Sequence, residues 1–208
     1  MDVEGGLALG GADGATGIAV NAGTTSTVTV GEDATIAVKE SFVPDDDNSD
    51  GYADGSIASA SNRYGIHVLS GATTSGSISN AGVITVEGLN SGGIVVDSDY
   101  VGDITNTGTI KVLGDNSVGI STQAVDGDIT LDGTVTVVGA GAQDLVVNGD
   151  VSGSVIIEGA VSQATSFTDD DGDTLVLSRA ALRTGAAAVE INGNVAGGIY
   201  VTAPDPDD

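Results

Sequence analysis

An internal repeat constrains the fold of this 208-residue chain more than any other feature. Segments that begin at Ile66, Ile94, Ile120 and Leu145 align with one another, and each contains three short stretches of alternating apolar and polar residues. Such a unit is too small to bury an apolar face by itself, but stacked units share a continuous core. The repeat therefore predicts a parallel β-helix, with one repeat forming each rung.

The apolar anchors of the three strands keep a spacing that sets the register. The step from second to third strand is predicted to be identical in every rung that contains both, and the step from third strand to the next first strand is constant except at two insertions. The first-strand anchors are Ile18, Ile66, Ile94, Ile120, Leu145 and Val189. The second-strand anchors are Val30, Ile78, Ile104, Ile129, Val155 and Ile199, and the third-strand anchors are Ile36, Ile84, Ile110, Val135 and Val161.

These patterns predict an all-β chain: a right-handed, single-stranded parallel β-helix (β-solenoid) of about six three-strand rungs. In the third strands, Ile84 and Ile110 should point inward and Lys111 outward, since side chains alternate along a strand. We expect one β-helix domain over 1–203, with insertion loops at about 39–63 and 163–185. Residues 204–208 are expected to be an acidic tail or the start of a linker.

Both large insertions follow a third strand, and both are rich in aspartate. We expect them to leave the same side of the solenoid, with bases about 19 Å apart along the axis. One interpretation is a pair of solvated loops tethered by ion pairs. The other is a calcium site, because clustered carboxylates are the hard oxygen ligands that this ion prefers. The candidate ligands are Asp45, Asp46, Asp47, Asp50, Asp54, Asp169, Asp170, Asp171 and Asp173.

Composition excludes several classes of partner. Thirty acidic and five basic residues give a net charge of −25, which argues against binding to nucleic acid or to an anionic membrane surface. The chain has no cysteine and hence no disulfide or thiolate site. No transmembrane segment is expected, the start lacks the pattern of a signal peptide, and both ends resemble cuts from something longer.

Catalytic motifs are not recognisable in the sequence. His67 is the only histidine, and alternation places it on the outer surface between two inward residues. The remaining option is a pair of outward carboxylates such as Asp103 and Asp128, which occupy equivalent positions on neighbouring rungs. The sequence therefore predicts a protein that is not an enzyme, with no catalytic residue and no cofactor apart from calcium.

Several strings of the repeat resemble a known family. The segments "RYGIHV", "GSISNAGVITVEGLNSGGIVV", "GDITNTGTIKVLGDNSVGI" and "AAAVEINGNVAGGIYVTAP" are similar to the passenger region of autotransporter outer-membrane proteins, notably those of alphaproteobacteria. The resemblance covers roughly residues 15 to 203. It implies an extracellular, cell-surface location and a full-length protein with a signal peptide and a C-terminal translocating β-barrel.

The resulting functional hypothesis is a rigid, non-enzymatic cell-surface scaffold for adhesion or self-association. Its partners would be other cell-surface molecules or copies of the chain. The first alternative is a filament or surface-layer subunit that assembles with calcium. The second is a glycan-active β-helix enzyme, which would require paired carboxylates and aromatic platforms on the outer face.

Overall fold

The computed structural model describes residues 1–41, 44, 46–168 and 174–202. Successive repeats add successive strands to three stacked parallel sheets, which confirms the predicted parallel β-helix. The first sheet contains Thr16–Val20, Tyr64–Val68, Gly92–Val96, Val118–Thr122, Gln143–Val147 and Val189–Ile191. The second sheet contains Asp2–Val3, Thr25–Val30, Thr74–Asn80, Ile104–Asn106, Ile129–Leu131, Ser154–Ile157 and Gly198–Val201, with Tyr100–Val101 and Val125–Asp126 at its side. The third sheet contains Gly6–Gly10, Thr35–Lys39, Val83–Glu87, Thr109–Leu113, Thr134–Val138 and Ala160–Ala164.

The register is as predicted in the first and third sheets and differs at one position in the second. Ile66, Ile94 and Ile120 lie opposite one another, as do Ile84 and Ile110. In the first rung, however, Ile78 lies opposite Val28, and the predicted anchor Val30 lies opposite Asn80. The turn that follows Val30, in which the Gly31 carbonyl accepts a hydrogen bond from the Ala34 amide at 2.9 Å, is longer than in later rungs. The predicted constant step from the second-strand anchor to the third-strand anchor therefore does not hold in the first rung, where the anchors in register are Val28 and Ile36.

A partial rung that the repeat pattern did not predict precedes the first full rung. Asp2–Val3 pairs with the end of Thr25–Val30, and Gly6–Gly10 pairs with Thr35–Lys39 in the same parallel sense. Leu7 lies opposite Ile36 and continues the third-sheet column, where it is half-buried because it has a neighbouring rung on one side only. The segment contributes two of the three strands of a rung, and its short "GLALG" alternation alone was too brief to identify it.

Stacked β-branched side chains fill the interior. Ile84, Ile110 and Val135 are completely buried in the third sheet, while Lys111 between the inward positions is exposed, as alternation predicts. Each such side chain removes enough apolar surface from water to contribute about 1.5–3 kcal/mol. The sheets are thus held by repeated aliphatic contacts from rung to rung, without aromatic residues at these positions.

One interior column of the first sheet is glycine in four rungs and aspartate in the fifth. A β-carbon at Gly93 would lie 2.4 Å from the Ile110 side chain and 2.6 Å from the Gly119 carbonyl, so larger residues do not fit there. The next position in register, after Gly119, is Asp144, which is completely buried. Neither of its carboxylate oxygens has a hydrogen-bond partner of ordinary geometry among the described residues. Burial raises the pKa of Asp144 to about 7, and the Val137 backbone opposes this shift only in part.

Helical structure is minor in the part of the chain that the structure describes. A single 3₁₀ turn, Ala181–Arg183, lies in the second insertion. None of the described helices has the length and apolar character needed to cross a membrane.

Candidate functional site

The base of the first insertion is closed by two charged side chains. Arg63 is completely buried, and its guanidinium donates hydrogen bonds to the backbone carbonyls of Lys39 at 2.7 Å and Glu87 at 2.8 Å. The Glu40 carboxylate accepts hydrogen bonds from the Ser59 and Ala60 amides at 2.7 and 2.8 Å. The insertion is therefore fixed to the rungs on either side of it where it leaves and rejoins the solenoid.

Aspartates hold the turn at the tip of the first insertion. The Asp46 carboxylate accepts hydrogen bonds from the Asp50 and Gly51 amides at 3.0 and 2.9 Å. Asn48 donates to the Asp54 carboxylate at 3.1 Å. These carboxylates satisfy backbone and amide donors within the turn, which is a common role for aspartate in loops.

The second insertion begins with an antiparallel hairpin. Its strands are Ser166–Thr168 and Thr174–Val176, with Phe167 opposite Leu175. The chain then returns through the 3₁₀ turn Ala181–Arg183, and the Gly141 amide donates a hydrogen bond to the Thr184 carbonyl at 3.2 Å. This return contact fixes the second insertion to the corner of the fourth rung.

The two insertions meet above the third sheet, although their bases lie four rungs apart. Tyr52 pairs with Val176 in a parallel bridge, and the Ala53 amide donates to the Val176 carbonyl at 2.8 Å. The Arg179 guanidinium lies 4.8 Å from the centre of the Tyr52 ring, a cation–π contact. We call this junction the strap, defined by residues 51–53 and 175–179. The spacing of the insertions predicted their common side but not that they contact each other.

A small apolar cluster seals the strap against the sheet. Ala53 and Ile57 of the first insertion and Leu177 of the second are buried together with Val138. Leu113 and Phe167 pack against this cluster. Leu113 and Val138 occupy outward positions in the third sheet, in the same column as Glu87. Two apolar residues at outward positions of neighbouring strands were thus the sequence signal that something covers this face.

A groove of about 630 Å³ lies between the two insertions and the outer face of the third sheet. Thr85, Lys111 and Thr136 lie in register along its floor. Its walls include Ile57 and Pro44 from the first insertion and Phe167 from the second. Its volume is in the range typical of small-ligand sites. We therefore take this groove as the candidate functional site.

Both lysines of this acidic chain line the groove. The Lys39 ammonium lies 3.4 Å from the Glu87 carboxylate, which also accepts a hydrogen bond from the Glu40 amide at 2.9 Å. Lys111 is exposed, and its ammonium has no ion pair with any described residue. Among the described residues, the groove thus presents one cation without an ion-pair partner, on a molecule whose overall charge is strongly negative.

The predicted calcium ligands are divided between described and undescribed parts of the chain. Asp45, Asp169, Asp170, Asp171 and Asp173 lie outside the described residues. Asp46 and Asp54 accept hydrogen bonds from donors of their own loop, as described above, and the Asp50 carboxylate accepts one from the Tyr52 amide at 3.1 Å. Asp47 lies in the same turn. Within the described ranges, three or more His, Cys, Asp or Glu side chains do not come together in a group that fits a metal ion. Calcium binding stays a prediction.

His67 points outward, as expected, and contacts an acid. Its Nε2 lies 2.8 Å from the Asp97 carboxylate, and its ring centre lies 4.1 Å from that of Tyr64. Burial, with a smaller contribution from the Asp97 charge, raises the pKa of Tyr64. The residues opposite His67 in the two neighbouring strands are Ala19 and Val95, whose side chains contain no nucleophile.

The outward carboxylates Asp103 and Asp128 connect rungs. Asp103 accepts a hydrogen bond from the Asp128 amide at 2.9 Å, and Asp128 accepts one from the Ser154 amide at 2.7 Å. Each carboxylate therefore binds the backbone of the next rung. This arrangement gives both residues a structural role that the repeat spacing alone did not indicate.

Comparisons with known proteins give no match: no family model, no curated protein and no solved structure is similar to this chain at a significant level.

Proposed function

We propose that this chain is a rigid, extracellular scaffold of the cell surface that presents the groove between the two insertions for adhesion or self-association. The observation that carries the proposal is the convergence of both insertions on one face, where they form a groove that neither could form alone. Insertions in solenoid proteins commonly form the contact face, since they leave the stacking of the rungs undisturbed. The autotransporter-like repeat motifs support a surface location.

The scaffold part of the proposal rests on the uninterrupted core. Completely buried side chains recur on the inner face from the first rung to the fifth, as in Ile36, Ile94 and Val155. Such stacking makes the solenoid a stiff support, because each rung is held by its neighbours. In this proposal the described side chains bind a partner and perform no chemical step.

Display of the chain on a non-adherent bacterium tests this function. Autoaggregation and attachment to polystyrene and to epithelial monolayers would be counted for the wild type and for a groove variant, Lys111→Gln with Phe167→Ala. The matched control, Arg183→Gln with Tyr200→Ala, removes one cation and one aromatic side chain outside the groove. We expect the wild type and control to increase attachment or aggregation and the groove variant to lose the increase. The proposal fails if the displayed wild type changes neither quantity, or if groove and control variants behave alike.

A further inference from the structure

The floor of the groove carries a short row of polar side chains that the protein itself leaves unused. Thr85, Lys111 and Thr136 lie opposite one another on successive strands, about 4.8 Å apart along the axis. None of these three side chains has a hydrogen-bond or ion-pair partner among the described residues. They are therefore available to a ligand that lies along the solenoid axis.

The lining of the groove suits a ligand with many hydroxyl groups. Six hydroxyl side chains line it, and a hydroxyl can both donate and accept a hydrogen bond, as a sugar hydroxyl can. Phe167 contributes an aromatic ring at one wall, which offers an apolar surface to the face of a sugar ring. The six are Thr35, Ser41, Thr85, Thr136, Ser166 and Thr168.

The same floor is poorly suited to an extended peptide. Peptides that add to sheets do so through unpaired backbone groups at an edge. The strands Val83–Glu87, Thr109–Leu113 and Thr134–Val138 are paired on both sides, so their backbone groups are already used within the sheet. Recognition in the groove must therefore come from side chains, which favours a polyhydroxyl ligand over a polypeptide.

The charges of the groove select for a ligand with a carboxylate. The two acids of the lining are occupied, Glu40 by the Ser59 and Ala60 amides and Glu87 by Lys39. Among the described residues, Lys111 is left as the cation without a counter-charge at the middle of the floor. A carboxylate placed there would gain a charge-assisted hydrogen bond, while the hydroxyls on either side would bind the sugar.

We propose that the groove binds a carboxylate-bearing oligosaccharide, of the uronate type, with a sugar carboxylate on the Lys111 ammonium. This inference rests on the proposed contact function of the groove and names its ligand class. The neighbouring threonines bind hydroxyls of the same or adjacent sugar units, and Phe167 covers one ring face. The protein makes and breaks no covalent bond in this interaction.

Calorimetric titration of the whole chain tests the assignment. The probes are a β-1,4-linked tetramer of glucuronate, the glucose tetramer of the same linkage, and a tetraglutamate peptide. We expect the glucuronate tetramer to bind about ten-fold more tightly than the glucose tetramer, the gain typical of one charge-assisted hydrogen bond. We expect Lys111→Gln to remove that difference and Arg183→Gln, which removes a cation outside the groove, to preserve it.

Three results would overturn the assignment. They are a wild type that shows no saturable binding of the glucuronate tetramer, a wild type that binds the glucose tetramer with equal affinity, and a Lys111→Gln variant that binds the glucuronate tetramer as tightly as the wild type does. Tetraglutamate binding as tight as glucuronate would assign the groove to acidic polypeptides instead and would also overturn it. Because Lys111 is exposed, the thermal melt of Lys111→Gln should match that of the wild type, which separates loss of binding from loss of fold. The display experiment remains an independent test of the proposed function. Attachment that depends on the groove would still be observed if the groove bound a ligand other than a uronate.

Discussion

The corner between third and first strands takes two very different forms in this molecule. In the middle of the stack it is short and constant in length, as from Ile84 to Ile94 and from Ile110 to Ile120. After Ile36 the same corner contains an insertion that carries the chain out to the strap, and after Val161 it does so again. Both forms leave the sheets in register, so this corner can accept new structure without cost to the core. The regular rungs therefore carry the stability and form the floor of the groove, while the insertions add its walls.

The sharpest test of this division compares the loss of stability from a large-to-small substitution in a regular rung with the loss from one in an insertion. Ile110→Ala removes a completely buried side chain that has a neighbouring rung on both sides. We expect a loss near the upper end of about 2–5 kcal/mol in the free energy of unfolding, measured by chemical denaturation. A loss below about 1 kcal/mol would mean that the central rungs do not carry the stability.

Asp144 tests the regular stack at an interior position where an acidic side chain replaces glycine. Its raised pKa of about 7 means that between about pH 4 and 7 the folded chain holds a proton that the unfolded chain has lost. The contribution of this carboxyl to stability is thus intact below pH 4 and falls as the pH rises to 7. Asp144→Asn removes the titrating group. We expect the variant and wild type to be similar near pH 4, and the variant to be more stable by up to about 4 kcal/mol at pH 8.

Denaturant melts of both proteins at several pH values measure this difference. The comparison with the variant is necessary because the other acidic residues also titrate in the wild type. A difference in unfolding free energy that is the same at pH 4 and pH 8 would contradict the burial of an ionisable Asp144.

A third change concerns the apolar seal of the strap. Leu177→Ala removes a buried side chain from the small cluster with Ile57 and Val138. We expect a loss of about 2 kcal/mol, at the low end for such a substitution, because the cluster is small and near the surface. Amide hydrogen exchange should speed up in the insertions while the third sheet stays protected. Equal acceleration in Thr109–Leu113 would show that insertions and rungs unfold as one unit.

The smallest expected effect concerns the cation–π contact of the strap. Tyr52→Leu keeps an apolar side chain but removes the ring that Arg179 covers. We expect a loss of about 0.5–1 kcal/mol, since the contact is near the surface. Arg179→Gln should give a similar loss, and the double variant should lose little more than either single one. Fully additive losses would mean that the two side chains do not interact.

The regular part of the fold could be predicted from the sequence because its physical rule is local. Alternation of apolar residues at a fixed period placed Ile66, Ile94 and Ile120 in one column, and the structure confirms that column. The error at Val30 arose because the longer turn of the first rung shifted the pattern by a full period of alternation. Val28 and Val30 both point inward, so hydrophobicity alone could not distinguish them.

The candidate site could be predicted only in outline. The common corner of the insertions and the outward position of Lys111 followed from spacing and alternation. The strap depends on contacts between segments far apart in the chain, such as Tyr52 with Val176, and no periodic rule governs these. Buried polar groups were missed for a related reason: Asn80 donates a hydrogen bond to Asn106 at 2.7 Å inside the second sheet, but each alone resembles an ordinary turn residue.

The central claim, that the two insertions fold together over the third sheet, is tested most directly by a disulfide across the strap. Tyr52 and Val176 are bridge partners, and the chain has no cysteine, so Tyr52→Cys with Val176→Cys introduces the only two thiols. Backbone partners in neighbouring strands lie within the range that a disulfide can span. Under mild oxidation we predict an intramolecular disulfide in nearly all molecules, detected by intact mass and by cleavage between the two sites. Thiols that remain free, or that link only different molecules, would show that the insertions do not meet and that the groove does not form.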